Sequence, residues 1–108
     1  MLRVYGRYLE VLRLMRPVIV AIGRRDAELC RQLRRAASSV ALNLCEGSGA
    51  EGGTRRQRHQ DALGSAREVW GALDVAEAWG YVTASPELRR ELGECIAIMV
   101  SLAVGRRR

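Results

Sequence analysis

The sequence predicts an all-α fold, an antiparallel up-down bundle of four helices, and three features carry that prediction. Ala, Leu, Arg and Glu dominate a chain with only two prolines and no phenylalanine, a composition that favours helix nearly throughout. Apolar residues recur at three- and four-residue spacing in four successive segments. The segments are separated by short stretches that carry helix-capping or glycine signals. With 108 residues and no composition break, residues 1–108 read as a single domain.

The first helix is predicted over residues 4–22, where Val4, Tyr8, Val11, Leu12, Met15, Val18, Ile19 and Ile22 share one face. Pro17 lacks a backbone donor and is expected to kink or divide it, and Gly23 is its natural stop. The second helix is predicted over residues 26–46, with Asp26 as cap and Leu29, Leu33, Ala36, Ala37, Val40 and Leu44 as its core stripe. Gly47 is expected to end it and to open the glycine-rich connector "GSGAEGG". The third helix is predicted over residues 55–79. Thr54 and Gln57 make a capping-box pattern, His59, Ala62, Leu63, Ala66, Val69, Trp70 and Leu73 face inward, and Gly80 is the stop. The fourth helix is predicted over residues 86–104, with Ser85 as cap, Pro86 in the first turn, and Leu88, Leu92, Cys95, Ile96, Met99 and Leu102 inward.

The formal charge of +6 comes from a chain whose 18 basic residues are all arginine, and such a surface attracts polyanions. Three widely spaced cysteines (Cys30, Cys45, Cys95) and one histidine fit neither a disulfide framework nor a zinc site, so a reducing cytoplasm is the simplest setting, with no metal and no cofactor. The longest apolar run, "PVIVAIG", is too short to span a bilayer. A surface-bound first helix, with Tyr5 and Tyr8 beside Arg3 and Arg7, would need the same face that completes the bundle.

The second helix carries more than a core stripe. Gln32, Arg35, Ser39, Asn43 and Glu46 fall within an arc of about 80° beside it. The third helix repeats the arrangement with Asp61, Ser65, Glu68, Ala72, Val75 and Trp79. A helix in a solitary bundle needs one buried stripe, so these second lines suggest self-association. In that case Arg35 pairs with Glu46 or Glu68, while Asn43 and Ser65 satisfy remaining groups; the plainer alternative is a solvated helix face.

The segments "QLRRAASSVALNLCEG" and "ALGSAREVWGALDVAEAWGYV" carry an ordered set of motifs: LRRA, N-x-x-E-G, G-S-x-x-E and a late G-Y. This set resembles the small bacterial four-helix-bundle proteins of 23S rRNA intervening sequences, which are similar in turn to the accessory variability proteins of diversity-generating retroelements. The resemblance implies an up-down bundle assembled as a ring-like homopentamer. It also implies that Arg35, Asn43, Glu46, Ser65 and Glu68 form a structural polar network within or between subunits. His59 stands where such proteins usually carry an aromatic residue such as Phe.

The function expected from these readings is non-enzymatic binding of RNA or DNA through arginine–phosphate contacts, without strong sequence specificity. The expected contacts are Arg24, Arg25, Arg55, Arg56, Arg58, Arg106, Arg107 and Arg108. Trp70 and Trp79 read as packing residues rather than base-stacking platforms. The alternative is an oligomeric scaffold for a protein such as a reverse transcriptase or nuclease. Catalysis has little support. His59 and Asp61 do not face each other on a helix, Arg35 gives Glu46 and Glu68 a structural role, and "EGSGAEGG" lacks the sequel of a phosphate-binding loop.

Overall fold

The apolar repeats form four helices, α1 (Arg3–Gly23), α2 (Ala27–Ser48), α3 (Gly52–Ala78) and α4 (Pro86–Ala103). The computed structural model describes residues 2–105, and no strand occurs among them. Each helix buries the face set by its own spacing. Tyr8, Val11, Met15 and Ile22 of α1 meet Leu33, Val40 and Leu44 of α2, Val69 and Leu73 of α3, and Leu88, Leu92 and Met99 of α4 in one core. Alanine lines the buried sides of α2 (Ala36, Ala37, Ala41) and α3 (Ala62, Ala66, Ala76), and small side chains let two helix backbones approach closely. The radius of gyration is 13.8 Å, near the value of about 13 Å for a compact domain of this length. No described helix is long and apolar enough to cross a membrane.

The helices meet in a closed order, α1 against α2 and α4, and α3 against α2 and α4, as fits a four-helix bundle. The Tyr8 hydroxyl donates to the Ala37 carbonyl at 2.8 Å, while the Cys30 thiol lies 3.5 Å from the Ile19 carbonyl. Tyr8, early in α1, therefore lies beside the middle of α2, and Ile19, late in α1, beside the start of α2. Arg7 ties α1 to α4 through Glu91 at 2.9 Å and Glu94 at 2.6 Å. Pro17 does not divide α1; it sits on the exposed side, where water can serve the carbonyl left without a helical donor.

The connections differ from the sequence expectation at α2–α3. Gly47 does not end α2, which continues to Ser48 with Gly49 as its C-cap. Gly47 is buried and helical, and a Cβ there would lie 3.2 Å from the His59 ring and 3.3 Å from Arg58 Cβ. Its missing side chain lets α3 approach. Thr54 does not cap α3 either. The helix begins at Gly52 after Glu51, with no side-chain cap, and Gln57 donates to Asp61 at 2.9 Å instead of reaching back.

The other two connections follow local chemistry. Asp26 accepts from the Leu29 N–H and Ser85 from the Leu88 N–H, each three residues on. After α3, Gly80 adopts φ +79°, and the Gly80 and Tyr81 amides return to the Glu77 and Ala76 carbonyls. That paired closure needs a left-handed residue, which glycine supplies at least cost. Glu77 then accepts from the Ala84 N–H at 2.8 Å and from Arg89 at 2.6 Å, and these two contacts hold its carboxyl below the usual range. Arg89 also pairs with Asp74 at 2.9 Å and lies 4.6 Å over the Trp70 ring, fastening α4 to α3.

Candidate functional site

Two kinds of site emerge, a polar seam between α2 and α3 and clusters of arginine at the helix connections. In the seam, Asn43 donates to the Ser39 carbonyl at 3.0 Å and to its hydroxyl at 3.1 Å, and the Ser65 hydroxyl lies 2.9 Å from Ser39. Arg58 reaches from α3 to Asn43 and to Glu46, each at 3.4 Å. The second lines of α2 and α3 thus meet within one chain. Arg35 and Glu68 line the same shallow groove with Gln32 and Ser65, yet Arg35 makes no ion pair among the described residues. Glu46 takes Arg58 as its cation. The sequence placed Arg58 among phosphate contacts only. A signal for its seam role existed in N-x-x-E, which stacks Asn43 and Glu46 one turn apart as acceptors for a guanidinium.

His59 closes the lower end of this seam. It is 4% exposed, packed against Gly47, and its Nε2 has no hydrogen-bond partner among the described residues. Burial first, then the Arg55 charge, lower its pKa, opposed by a hydrogen bond to the backbone of Leu102. Below the ordinary imidazole value of about 6.5, the unfolded chain therefore gains a proton more readily than the folded chain. The stability contributed by the neutral ring is complete above that value and declines as pH falls through the folded-state pKa. The denaturation midpoint of the native chain is expected to drop between about pH 7.5 and about pH 5.5 more than that of His59→Phe. Equal drops in the two proteins would remove His59 as the cause.

Four of the expected phosphate contacts, Arg24, Arg25, Arg55 and Arg56, fall into two groups at opposite ends of α1. Arg24 and Arg25 form the α1–α2 turn and are exposed. Arg55 and Arg56 lie in the first turns of α3, also exposed. There Arg55 Nε donates to the Ala50 carbonyl at 2.8 Å, and Arg56 lies against Gly105 beyond the end of α4. Leu2, at the start of α1, shares a small cleft with Gly47, Arg55 and His59. The length of α1, about 30 Å for 21 residues, therefore separates the groups. None of these four has a carboxylate within ion-pair reach among the described residues, whereas Arg7, Arg13, Arg31, Arg58 and Arg89 each do. Arg106, Arg107 and Arg108 lie outside the described residues.

The two tryptophans part company. Trp70 packs against the core as expected, whereas Trp79 is 68% exposed on the single chain and makes no core contact. The last buried residue of α3 is Ala76, and Trp79, the C-cap residue, continues the outer line one turn after the 45% exposed Val75. Its ring stacks on Tyr81, with centroids 6.4 Å apart and planes 18° from parallel, and Arg25 lies 5.6 Å over the other aromatic ring. The cysteines are all free thiols; Cys95 is buried, and burial raises its pKa to about 11. No cluster of His, Cys, Asp or Glu among the described residues is arranged to hold a metal.

Comparison with known proteins matches residues 18–101 to the family model described as 23S rRNA-intervening sequence protein. No curated protein matches the chain, and no solved structure does. The matched span runs from the second half of α1 nearly to the end of α4 and contains the whole polar seam. The chain belongs to the 23S rRNA-intervening sequence protein family.

Proposed function

We propose that this protein is a non-enzymatic, basic homo-oligomer, an antiparallel bundle in a ring of five, that binds nucleic acid in the cytoplasm through phosphate contacts. The observation that carries the reading is a surplus of exposed arginines without a carboxylate partner among the described residues, with Arg24, Arg25, Arg55 and Arg56 paired in sequence at the helix connections. Apart from the Arg55 Nε–H bonded to the Ala50 carbonyl, these guanidiniums keep their donors for a phosphate, and pairing them releases counterions from the polyanion. The family description, which refers to 23S rRNA, supports RNA as the first ligand to test. A ring would repeat each patch, so that weak contacts act together on one strand.

Self-association is supported by the outer faces of α2 and α3, where Leu42 is 62% and Val75 45% exposed. These apolar residues flank the polar seam and give a second copy something to cover. The same exposure favours, as the second reading, a scaffold that holds a protein partner such as a reverse transcriptase or nuclease. The buried His59 ring, and carboxylates held by Arg58 and Arg89, fit structural roles better than proton transfer.

A salt titration tests the phosphate contacts. Affinity for a single-stranded RNA is expected to fall linearly on logarithmic axes, with a slope of about −0.7 for each phosphate neutralised. Affinity indifferent to salt would end this reading and leave the scaffold.

A further inference from the structure

We propose that Trp79, Tyr81 and Arg25 form a stacking platform for an unpaired base, making single-stranded nucleic acid the ligand of the α1–α2 end. This deepens the phosphate-binding reading and rests on it. Trp79 is the most exposed of the large apolar side chains, at 68%, and large aromatics left open on a surface mark contact sites. It is also fixed. The Trp79 amide returns to the Val75 carbonyl at 3.0 Å, the Gly80 turn locks the backbone beyond it, and the Tyr81 ring lies beside the indole in an offset stack. Tyr81 is held in turn by Asp26, which accepts its hydroxyl at 3.1 Å, and by the Arg25 guanidinium over its ring. A rigid aromatic surface loses little freedom when a base settles on it.

The charge around the platform identifies the occupant. Arg25 carries a positive charge over the Tyr81 ring, and the exposed Arg24 precedes it in the same turn. Of the acidic groups in contact with the platform, Asp26 is engaged twice, by the Tyr81 hydroxyl and the Leu29 N–H. A second copy docking through this same patch would bring like charge against like. A polyanion with an accessible π-face is complementary in both respects, and unpaired bases offer that face where duplex bases are already stacked. The phosphates flanking the stacked base would then meet Arg24 and Arg25.

The experiment compares the native chain with Trp79→Ala and Trp79→Phe, using an oligouridine and a duplex RNA of equal length. Trp79→Ala is expected to weaken oligouridine binding roughly 5- to 150-fold, the range for losing one stacked base. Duplex binding and the salt slope stay unchanged, and Trp79→Phe retains much of the single-strand affinity. Because Trp79 is largely outside the core, circular dichroism of both variants is expected to match the native chain. Unchanged oligouridine binding, or an equal loss on duplex, overturns the platform while phosphate binding stands. A fall in assembled mass for Trp79→Ala also overturns it, because the ring then serves subunit contact. If the native chain binds neither RNA at low salt, the platform and the phosphate reading fall together.

Discussion

Reversing Arg55 and Arg56 together to glutamate is expected to lower single-stranded RNA affinity roughly 10- to 100-fold at low salt and to flatten the salt dependence. Both guanidiniums are exposed, and no described carboxylate competes for them, so their charge is available to a phosphate. The substitution replaces two attractions with two repulsions in every subunit, and each lost phosphate contact on a single strand removes about 0.7 of a unit of slope. Folding is expected to survive. Arg55 contributes one hydrogen bond to the Ala50 carbonyl, and Arg56 only rests against Gly105. Arg58 is left intact because it holds Asn43 and Glu46, and its loss would mix a fold defect with a binding defect.

The same reversal at Arg24 and Arg25 probes the other end. About 30 Å separates the groups along α1, well beyond a screening length of about 10 Å at moderate salt, so the two losses are expected to add. Native-like affinity and slope in the Arg55→Glu, Arg56→Glu protein would place RNA contact elsewhere. Native affinity in both double variants would remove phosphate binding altogether.

The helices were legible in the sequence because a three- and four-residue apolar repeat has a single geometric solution, and α1 through α4 bury most of the residues that the repeat selects, with Leu12, Ile19, Trp70, Ile96 and Leu102 half-buried at the margin. Their ends were less legible. Gly47 and Gly80 look alike in a sequence, yet only Gly80 takes a positive φ, whereas Gly47 is required by a neighbour that arrives from α3. Local pattern cannot separate these two uses of glycine. Trp79 ends the second line of α3, one turn after Val75, and a single chain leaves that end of the line open, with Val75 45% and Trp79 68% exposed. The partner of Glu46 depended on how α3 lies against α2, which no spacing within α2 contains.

Gly47 yields the second large effect. Replacing a helical glycine ordinarily stabilises a protein, because glycine costs up to about 1 kcal/mol in a helix interior. Gly47→Val is expected to do the reverse. Its Cβ would meet the His59 ring at 3.2 Å and Arg58 Cβ at 3.3 Å, and the two γ-carbons would add volume to the same buried contact. Arg58 Cβ is fixed to the α3 backbone, and the His59 ring is enclosed, so neither can yield without moving α3 away from α2. Overpacking of this kind costs about 1–3 kcal/mol, or roughly 4–8 °C of melting temperature for each kcal/mol in a domain of this size. The same displacement would stretch the Arg58 contacts with Asn43 and Glu46, which are already 3.4 Å long. Removing the obstructing ring supplies the control. His59→Ala alone leaves a cavity and destabilises the native chain, but in the Gly47→Val background it vacates the space that valine needs. The double variant is therefore expected to be more stable than the two single losses sum to, with a coupling of about 0.5–3 kcal/mol. Strictly additive losses, or a Gly47→Val protein that melts higher than the native chain, would show that α3 does not rest on Gly47.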